Sequence, residues 1–165
     1  MNNNETKTQE DIREMVKDIQ FAMLCTNDEK GHIRSRPMGT QGMDKEGNVW
    51  FLTAKDSGKV DEIKANPNVC VCYALPSDNT YVCLMGEAEE VDDQRKIDEY
   101  WTPIAKAWFP KGKDDPNLTL IKVMPHEAEY WDSYSNKIVV GIKMLSTLVT
   151  GKEYTDEGAH GTVKF

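Results

Sequence analysis

The sequence contains no long hydrophobic run and is short of positive charge. None of its apolar stretches approaches the ~20 residues that a membrane-spanning helix needs, and the first residues, MNNNETKTQED, lack the apolar segment of a signal peptide. Lysine and arginine number 20 against 28 acidic residues, for a formal net charge of −8. Nucleic acids and anionic membrane surfaces attract basic proteins, so neither is expected as a partner. We expect a cytoplasmic protein.

Residues that commonly bind metals or form disulfides are also few. The sequence has three histidines and four cysteines: His32, His126, His160, Cys25, Cys70, Cys72 and Cys83. No histidine has a second ligand at a familiar spacing, so the sequence predicts no metal site. The cysteines lie in apolar, strand-like runs without a Cys-x-x-Cys pair, and we expect them to be reduced, buried and packed as small hydrophobic side chains.

What the sequence does contain is a pattern of short apolar runs separated by turn formers. Its 165 residues fit one domain, with residues 1–6 expected to be disordered. The predicted strands are FAMLCTN, HIRSRPM, NVWFLTA, VCVCYAL, YVCLMGEAEEV and LTLIKVMPHEAEYWD, with a Gly-rich bend after HIRSRPM. About six strands with short connections indicate a mainly β (α+β) fold, either a barrel or a sandwich, with flanking helices.

Helical periodicity is confined to short segments. TQEDIREMVKDI has apolar residues at helical spacing, and Thr8 with Asp11 resembles a capping box. SGKVDEIKANP predicts a helix that ends before Pro67. Asp92 or Asp93 is expected to cap a helix in QRKIDEYW, and TPIAKAWFP to form one helical turn. KIVVGIKMLSTLV predicts a last helix, followed by a polar tail.

Cationic and hydroxyl side chains occur at two nearby places. In the strand HIRSRPM, His32, Arg34 and Arg36 share one face, which indicates either an anion between the arginines or a solvated surface. Thr53, Ser57 and Lys59 surround the start of the next helix, where free backbone amides and the helix dipole favour an anion. The simpler alternative is that Ser57 caps the helix and Lys59 is solvated.

Four tryptophans give the chain large aromatic surfaces. Core packing accounts for some of them. Trp108, however, lies in AWFPKGKDDP, a segment rich in turn formers. Aromatic side chains on such loops contact ligands or partners more often than cores, so Trp108 is a candidate binding residue.

The block RSRPM…NVWFLTAKDSGKVDEIKANPNVCVCYALP resembles the FMN-binding split barrel of the pyridoxamine 5′-phosphate oxidase superfamily. The resemblance spans about residues 8–133, and YWTPIAKAWFPKGKDDPNLTLIKVMPHEAEYWD is similar to its general stress protein branch. It implies a six-stranded antiparallel split β-barrel that binds FMN at the interface of a homodimer.

The resemblance also implies which residues contact the cofactor. Arg36, Thr53, Ser57 and Lys59 would hold the phosphate and ribityl chain, and the backbone from Arg36 through Pro37 and Met38 to Gln41 would follow the isoalloxazine edge. The floor and the outer contacts would come from Trp50, Phe51, Leu52, Tyr81 and Trp131.

Departures from the oxidase pattern bear on activity. Gln41 replaces a lysine, Gly58 replaces an arginine, and DSYSNKIVVGIK after Trp131 lacks the arginine-histidine motif that grips the vitamin phosphate. We therefore expect an FMN-dependent oxidoreductase of unknown substrate with a stress-related role, and not a pyridoxamine-phosphate oxidase. The alternatives are a non-catalytic stress protein that sequesters or senses FMN, or a relative that binds a deazaflavin or haem.

Overall fold

The computed structural model describes residues 7–132 and 159–165, which contain seven strands and three α-helices. The strands are β1 (Phe21–Asn27), β2 (Ile33–Met43), β3 (Val49–Ala54), β4 (Asn68–Leu75), β5 (Thr80–Val91), β6 (Leu118–Asp132) and β7 (Ala159–Lys164). The helices are α1 (Gln9–Val16), α2 (Gly58–Ala65) and α3 (Gln94–Tyr100), with short 3₁₀ turns at Pro76–Asp78 and Pro103–Ala107. None of these helices is both long and apolar enough to cross a membrane.

Six of the strands form a closed antiparallel barrel. Their order is β3-β2-β1-β4-β5-β6, and β3 pairs with β6 from Val49↔Val123 to Ala54↔Leu118, which closes the ring. β7 pairs with β6 and extends the sheet beyond the ring. The six-stranded split barrel expected from the sequence is confirmed.

The barrel is held by apolar side chains that alternate along each strand. Leu24, Val71 and Leu84 are fully buried, and Ile12 and Val16 of α1 belong to the same cluster. Helix α1 therefore packs on the barrel. Its start has the predicted capping box: the Asp11 amide donates to Thr8 Oγ1 at 3.2 Å, and the Thr8 amide donates to the Asp11 carboxylate at 2.7 Å.

A second apolar layer supports the segment that follows α3. Trp50 and Leu52 of β3 pack with Ile97 of α3 and Ala105 of the following 3₁₀ turn. Trp50 also stacks on Tyr100 with ring centroids 4.8 Å apart. This layer fixes residues 102–109 close to the open side of β2 and β3.

Three features differ from the sequence predictions. The Gly-rich bend lies inside β2, as a bulge between Thr40 and Gly42, because β2 pairs with β1 up to Gly39 and with β3 from Thr40. The tail that we expected to be only polar contains β7, whose Val163 enters the core. The cysteines are partly exposed instead of buried, because they alternate with the inward residues of their strands, such as Leu24 of β1, Val71 of β4 and Val82 of β5. The helix predicted in KIVVGIKMLSTLV lies outside the described residues.

Candidate functional site

An elongated cavity of about 1000 Å³ lies beside β2. Its walls come from α1, from β2 between Arg36 and Met43, from the end of β3, from Lys59 of α2, and from the segment between Thr102 and Phe109. Arg36 and Gln41 are five residues apart on one strand, so their Cα atoms are separated by ~16 Å. The cavity is thus long enough for a ligand with chemically different ends.

One end of the cavity is polar and positively charged. Lys59 Nζ donates to Thr53 Oγ1 at 3.0 Å, and Thr53 Oγ1 lies 3.3 Å from Ser57 Oγ. Ser57 precedes α2, but its side chain does not cap the helix. Ser57 does not line the cavity itself, and its hydroxyl lies behind Thr53, within hydrogen-bond distance of it. Thr53 lies near the end of β3 and Lys59 in the first turn of α2, so the short connection between the two elements brings these three side chains together locally.

Lys59 is in an unfavourable environment for a cation. Its pKa is lowered, first by burial, which removes water from the ammonium group, and then by the positive charge of Arg36, while Glu62 opposes the shift. Among the described residues, no carboxylate lies within ion-pair distance of Lys59. A bound anion would supply the missing negative charge.

Arg36 has an internal partner that the sequence did not reveal. Its Nη2 donates to Glu62 Oε2 at 2.7 Å, and its Nη1 donates to Thr26 Oγ1 at 2.5 Å. The carboxylate of α2 thus balances Arg36 within the protein. A guanidinium carries five N–H donors, and Arg36 still lines the cavity, so part of its donor capacity remains for a ligand.

The other two cationic candidates of this strand lie elsewhere. Arg34 Nε donates to Asp28 Oδ2 at 3.1 Å, and His32 Nδ1 lies 3.3 Å from the same oxygen. They line a separate, smaller depression together with Gly58. The shared strand face therefore does not bring His32 and Arg34 to the site, because the turn carboxylate of Asp28 holds them.

The middle of the cavity follows β2. Pro37, Met38 and Gln41 line it, and Leu52 lines it from β3. The Gln41 amide is fixed at both ends: Nε2 donates to the Gly39 carbonyl at 3.1 Å, and Oε1 accepts from Thr102 Oγ1 at 3.3 Å. The side chains of Trp50 and Phe51 are absent from the lining. Phe51 is fully buried in the barrel, so only its main chain could serve a ligand.

The candidate aromatic residues fall into two groups. Trp108 is 59% exposed and lines the cavity of its own chain. Tyr81 and Trp131 pair across β5 and β6, and neither contributes to that lining. Trp131 stacks on His160 of β7 with ring centroids 5.0 Å apart, and both Tyr81 and Trp131 remain more than one-third exposed.

Sequence reasoning missed the wall that α1 provides. Arg13, Glu14 and Lys17 line the cavity although they lie far from the other site residues in sequence. Lys17 Nζ pairs with Glu14 Oε2 at 2.5 Å, and this hydrogen bond raises the pKa of Lys17. Their spacing on an amphipathic helix places them on its polar face, but no local signal shows what that face covers.

Comparison with known proteins agrees with this architecture. Residues 7–155 match the family model described as pyridoxamine 5′-phosphate oxidase like. Protein bli-3 of Neurospora crassa is 26% identical over 155 residues, which cover 88% of this chain and 74% of that protein. General stress protein 26 of Bacillus subtilis is 28% identical over 127 residues, which cover 72% of this chain and 87% of that protein.

Solved structures show the same relationship. A protein assigned as general stress protein 26 from Jannaschia sp. CCS1 superimposes with a TM-score of 0.75 at 26% identity, covering 94% of this chain and 97% of that one. The general stress FMN/FAD binding protein of Xanthomonas citri gives a TM-score of 0.67 at 27% identity, covering 78% and 90%. The barrel, the cavity and the family match lead to one conclusion: the chain belongs to the pyridoxamine 5′-phosphate oxidase-like family and is similar to its general stress protein 26 members.

Proposed function

We propose that the cavity binds FMN, and that the protein is a flavin-dependent oxidoreductase of unknown substrate with a stress-related role. The observation that carries this proposal is Lys59, a partly buried ammonium without a carboxylate partner among the described residues. A terminal phosphate would meet Lys59, the hydroxyls of Thr53 and Ser57, and the first amides of α2.

The rest of the cavity fits an elongated ligand with a planar, mostly apolar end. Its volume lies at the upper end of the ~300–1,000 Å³ typical of small-molecule sites. Pro37, Met38 and Leu52 offer apolar contacts, and Gln41 offers a fixed amide. The name of the Xanthomonas citri relative, a general stress FMN/FAD binding protein, supports a flavin as this ligand.

The chemistry would belong to the cofactor and the positioning to the protein. FMN, when bound, supplies the ability to accept and donate electrons or hydride. Arg36 and Lys59 would bind its phosphate, while Trp108 and the polar face of α1 would exclude water from the open side of the cavity. Gln41 stands where the oxidases have a lysine, so we do not propose pyridoxamine-phosphate oxidation.

A specific observation favours a second candidate, a non-catalytic protein that sequesters or senses FMN. Within the described part of the chain, Glu14 is the only carboxylate that lines the cavity, and it is paired with Lys17. Histidine and cysteine do not occur among those lining residues. A general acid or base near a bound substrate would then have to come from the substrate, the solvent or a partner chain.

We also propose a homodimer in which each flavin contacts both chains. Tyr81 and Trp131 are the contacts that the resemblance implies for the flavin side, yet they lie outside the cavity of their own chain. Their exposed rings are available to a second copy, and two-fold symmetry would place each pair at the other chain's cavity. A cytoplasmic location is proposed from the acidic charge and the four free cysteines.

The cofactor proposal is tested by thermal unfolding with FMN, FAD and riboflavin. A ligand at ~100 times its dissociation constant adds ~2.7 kcal/mol to the free energy of unfolding. We expect FMN to raise the melting temperature most, because riboflavin lacks the phosphate and FAD needs room for an adenylate. Equal shifts for FMN and riboflavin would contradict a phosphate site at Lys59.

The choice between catalyst and binder needs a redox measurement. Reduced nicotinamide is added to the FMN-loaded protein without oxygen, and the flavin absorbance is followed before and after air is admitted. An oxidoreductase that uses this donor bleaches faster than free FMN and recovers in air. Bleaching no faster than that of free FMN would favour the sequestering or sensing role.

A further inference from the structure

Three of the four cysteines meet on the outer surface of the barrel. Cys70 and Cys72 are separated by one residue on β4 and so point to the same side, and Cys83 lies directly opposite Cys72 on β5. The Sγ atoms of Cys70 and Cys72 are 3.5 Å apart, and those of Cys72 and Cys83 are 3.4 Å apart. All three sulfurs lie within 4.8 Å of one another.

This spacing matches the ligand shell of a soft metal ion. Zn–S bonds of ~2.3 Å in a tetrahedral site place neighbouring sulfurs ~3.8 Å apart. The 3.5 Å and 3.4 Å separations therefore require shifts of only a few tenths of an ångström, and the Cys70–Cys83 pair, whose sulfurs lie within 4.8 Å, requires at most ~1 Å. The three cysteines are partly exposed, so an ion can reach them from solvent and keep a water as its fourth ligand.

We propose that Cys70, Cys72 and Cys83 form a binding site for one thiophilic metal ion of the Zn²⁺ or Cu⁺ class. Thiolates select such ions over Mg²⁺ or Ca²⁺, which prefer oxygen ligands. Binding would replace the thiol protons by the metal and release them to the solvent. The site lies outside the flavin cavity of its own chain, so this inference does not rest on FMN binding there.

Metal binding to this cluster should depend on pH. Each cysteine binds the ion as a thiolate, so the ion competes with the thiol protons and the metal affinity should rise with pH.

Cys25 offers a matched control on the same surface. It lies opposite Cys70 on β1, but its Sγ contacts Ser35 Oγ at 3.4 Å and it does not belong to the group of three. Replacing it by serine removes a partly exposed thiol from the same face without removing a proposed ligand. Any general effect of thiol loss on the barrel would appear in this variant as well.

The experiment titrates the reduced, flavin-free full chain with Cd²⁺ and follows the ultraviolet thiolate-to-metal charge-transfer band, with Zn²⁺ as competitor. We expect one ion per chain, displacement by Zn²⁺, and an affinity that rises with pH. Cys72→Ser should weaken binding by more than the ~10–100-fold that loss of an outer-shell group costs. Cys70→Ser and Cys83→Ser should weaken it similarly, and Cys25→Ser should bind as the parent does.

Several results would overturn the proposal. Equal losses in Cys25→Ser and Cys72→Ser would mean that the site is not the three-thiolate cluster. One ion per two chains would indicate a bridge between copies instead of a site within one chain. Failure of the reduced parent to bind Cd²⁺, with a disulfide appearing in air, would identify the cluster as a redox pair. The circular dichroism spectrum of each variant is compared with that of the parent, so that loss of metal binding can be distinguished from loss of the fold.

Discussion

The most informative single residue is Lys59, whose surroundings suit a bound anion better than an empty cavity. Its only described hydrogen-bond partner is the hydroxyl of Thr53, and Arg36 adds positive charge nearby. Arg36, by contrast, is balanced by Glu62. The two cations that the sequence grouped together therefore have different roles: Lys59 depends on a ligand for compensation, whereas Arg36 also holds α2 against β2.

Replacement of Lys59 by alanine should weaken FMN binding without loss of stability. A charge-assisted hydrogen bond contributes ~1.5–3 kcal/mol, which corresponds to roughly a tenfold to hundredfold change in affinity. Lys55→Ala is the matched control, because Lys55 pairs with Asp92 at 2.6 Å outside the cavity. Quenching of flavin fluorescence measures the FMN affinity of both variants. Equal affinities of the two variants for FMN would place the phosphate elsewhere.

The same lysine predicts a pH dependence of binding. The pKa of Lys59 in the free protein lies below the ordinary value of 10.5, and a bound phosphate would raise it again. Between these two pKa values the complex carries more protons than the free protein, so affinity should fall as the pH rises through that window. The dissociation constant is measured from neutral to alkaline pH in the parent and in Lys59→Met.

Lys59→Met serves as the control because it keeps the apolar stem but cannot titrate. It also corrects for the titration of the flavin itself, which affects both proteins alike. We expect a steeper loss of affinity in the parent than in this variant. Parallel curves would show that Lys59 does not meet the phosphate.

At the scale of elements, the long β5–β6 pair needs a bulge. The register runs from Met85↔Glu127 directly to Gly86↔Pro125, so β6 carries one extra residue, His126, at this point. Here the backbone of β6 comes so close to β5 that a Cβ atom on Gly86 would lie 2.2 Å from the Met124 carbonyl oxygen and 2.7 Å from Pro125 Cα. Only glycine fits at position 86, because a Cβ atom would clash with backbone atoms of β6, and these cannot move aside by rotation as a side chain can.

Gly86→Ala should therefore lower the free energy of unfolding by at least ~2 kcal/mol, toward the upper part of the range for overpacked sites. Gly58→Ala is the control, since a Cβ atom there meets nothing within 4 Å. Alanine at this helix start should be neutral or slightly stabilising. Urea denaturation compares the two variants. A Gly86→Ala protein as stable as the parent would contradict the close approach of β5 and β6.

Element prediction from the sequence succeeded where the signal is local. FAMLCTN predicts β1 to the residue, and Thr8 with Asp11 correctly predicts the start of α1. The bend expected at Gly39–Gly42 was wrong because the strand changes partners there, from β1 to β3, without ending. Which partner a strand pairs with is decided by distant residues, so the glycines alone could not distinguish a bulge from a turn.

At the scale of the molecule, the candidate flavin contacts lie in two separate regions. Lys59 and Trp108 line one cavity, whereas Trp131 lies on the outer side of β6 beside β7. A shared site in a homodimer would unite Lys59 of one chain with Trp131 of the other.

Mixed dimers of Lys59→Ala and Trp131→Ala chains should recover half of the parent's FMN sites. One site of the heterodimer would then combine both intact residues, and the other would lack both. A mixture of Lys59→Ala and Trp108→Ala chains is the control, because both residues line the same cavity and no site can regain both. The number of FMN molecules bound per dimer after subunit exchange distinguishes a site shared between two chains from a site within one chain. A monomer in solution, or no recovery with Trp131→Ala, would exclude the shared site.

The sequence by itself determined what short segments can encode. The strand pattern indicated a mainly β fold, either a barrel or a sandwich, and the family resemblance of the segments chose the barrel. Thr53, Ser57 and Lys59 were recognisable because a strand end and a helix start lie within seven residues of one another. Local hydrogen bonding and side-chain alternation depend on neighbours in the chain, so these features could be predicted from the sequence alone.

Only the tertiary structure decided which distant residues meet. The register of β4 against β5 places Cys83 beside Cys72, and the packing of α2 on the barrel gives Arg36 the carboxylate of Glu62. Closure of the ring by β3 and β6 and the seating of α1 bring Lys17 to the same cavity as Lys59. These contacts depend on strand register and on the burial of apolar faces across the whole barrel. Neither of these can be predicted from the spacing of residues along the chain.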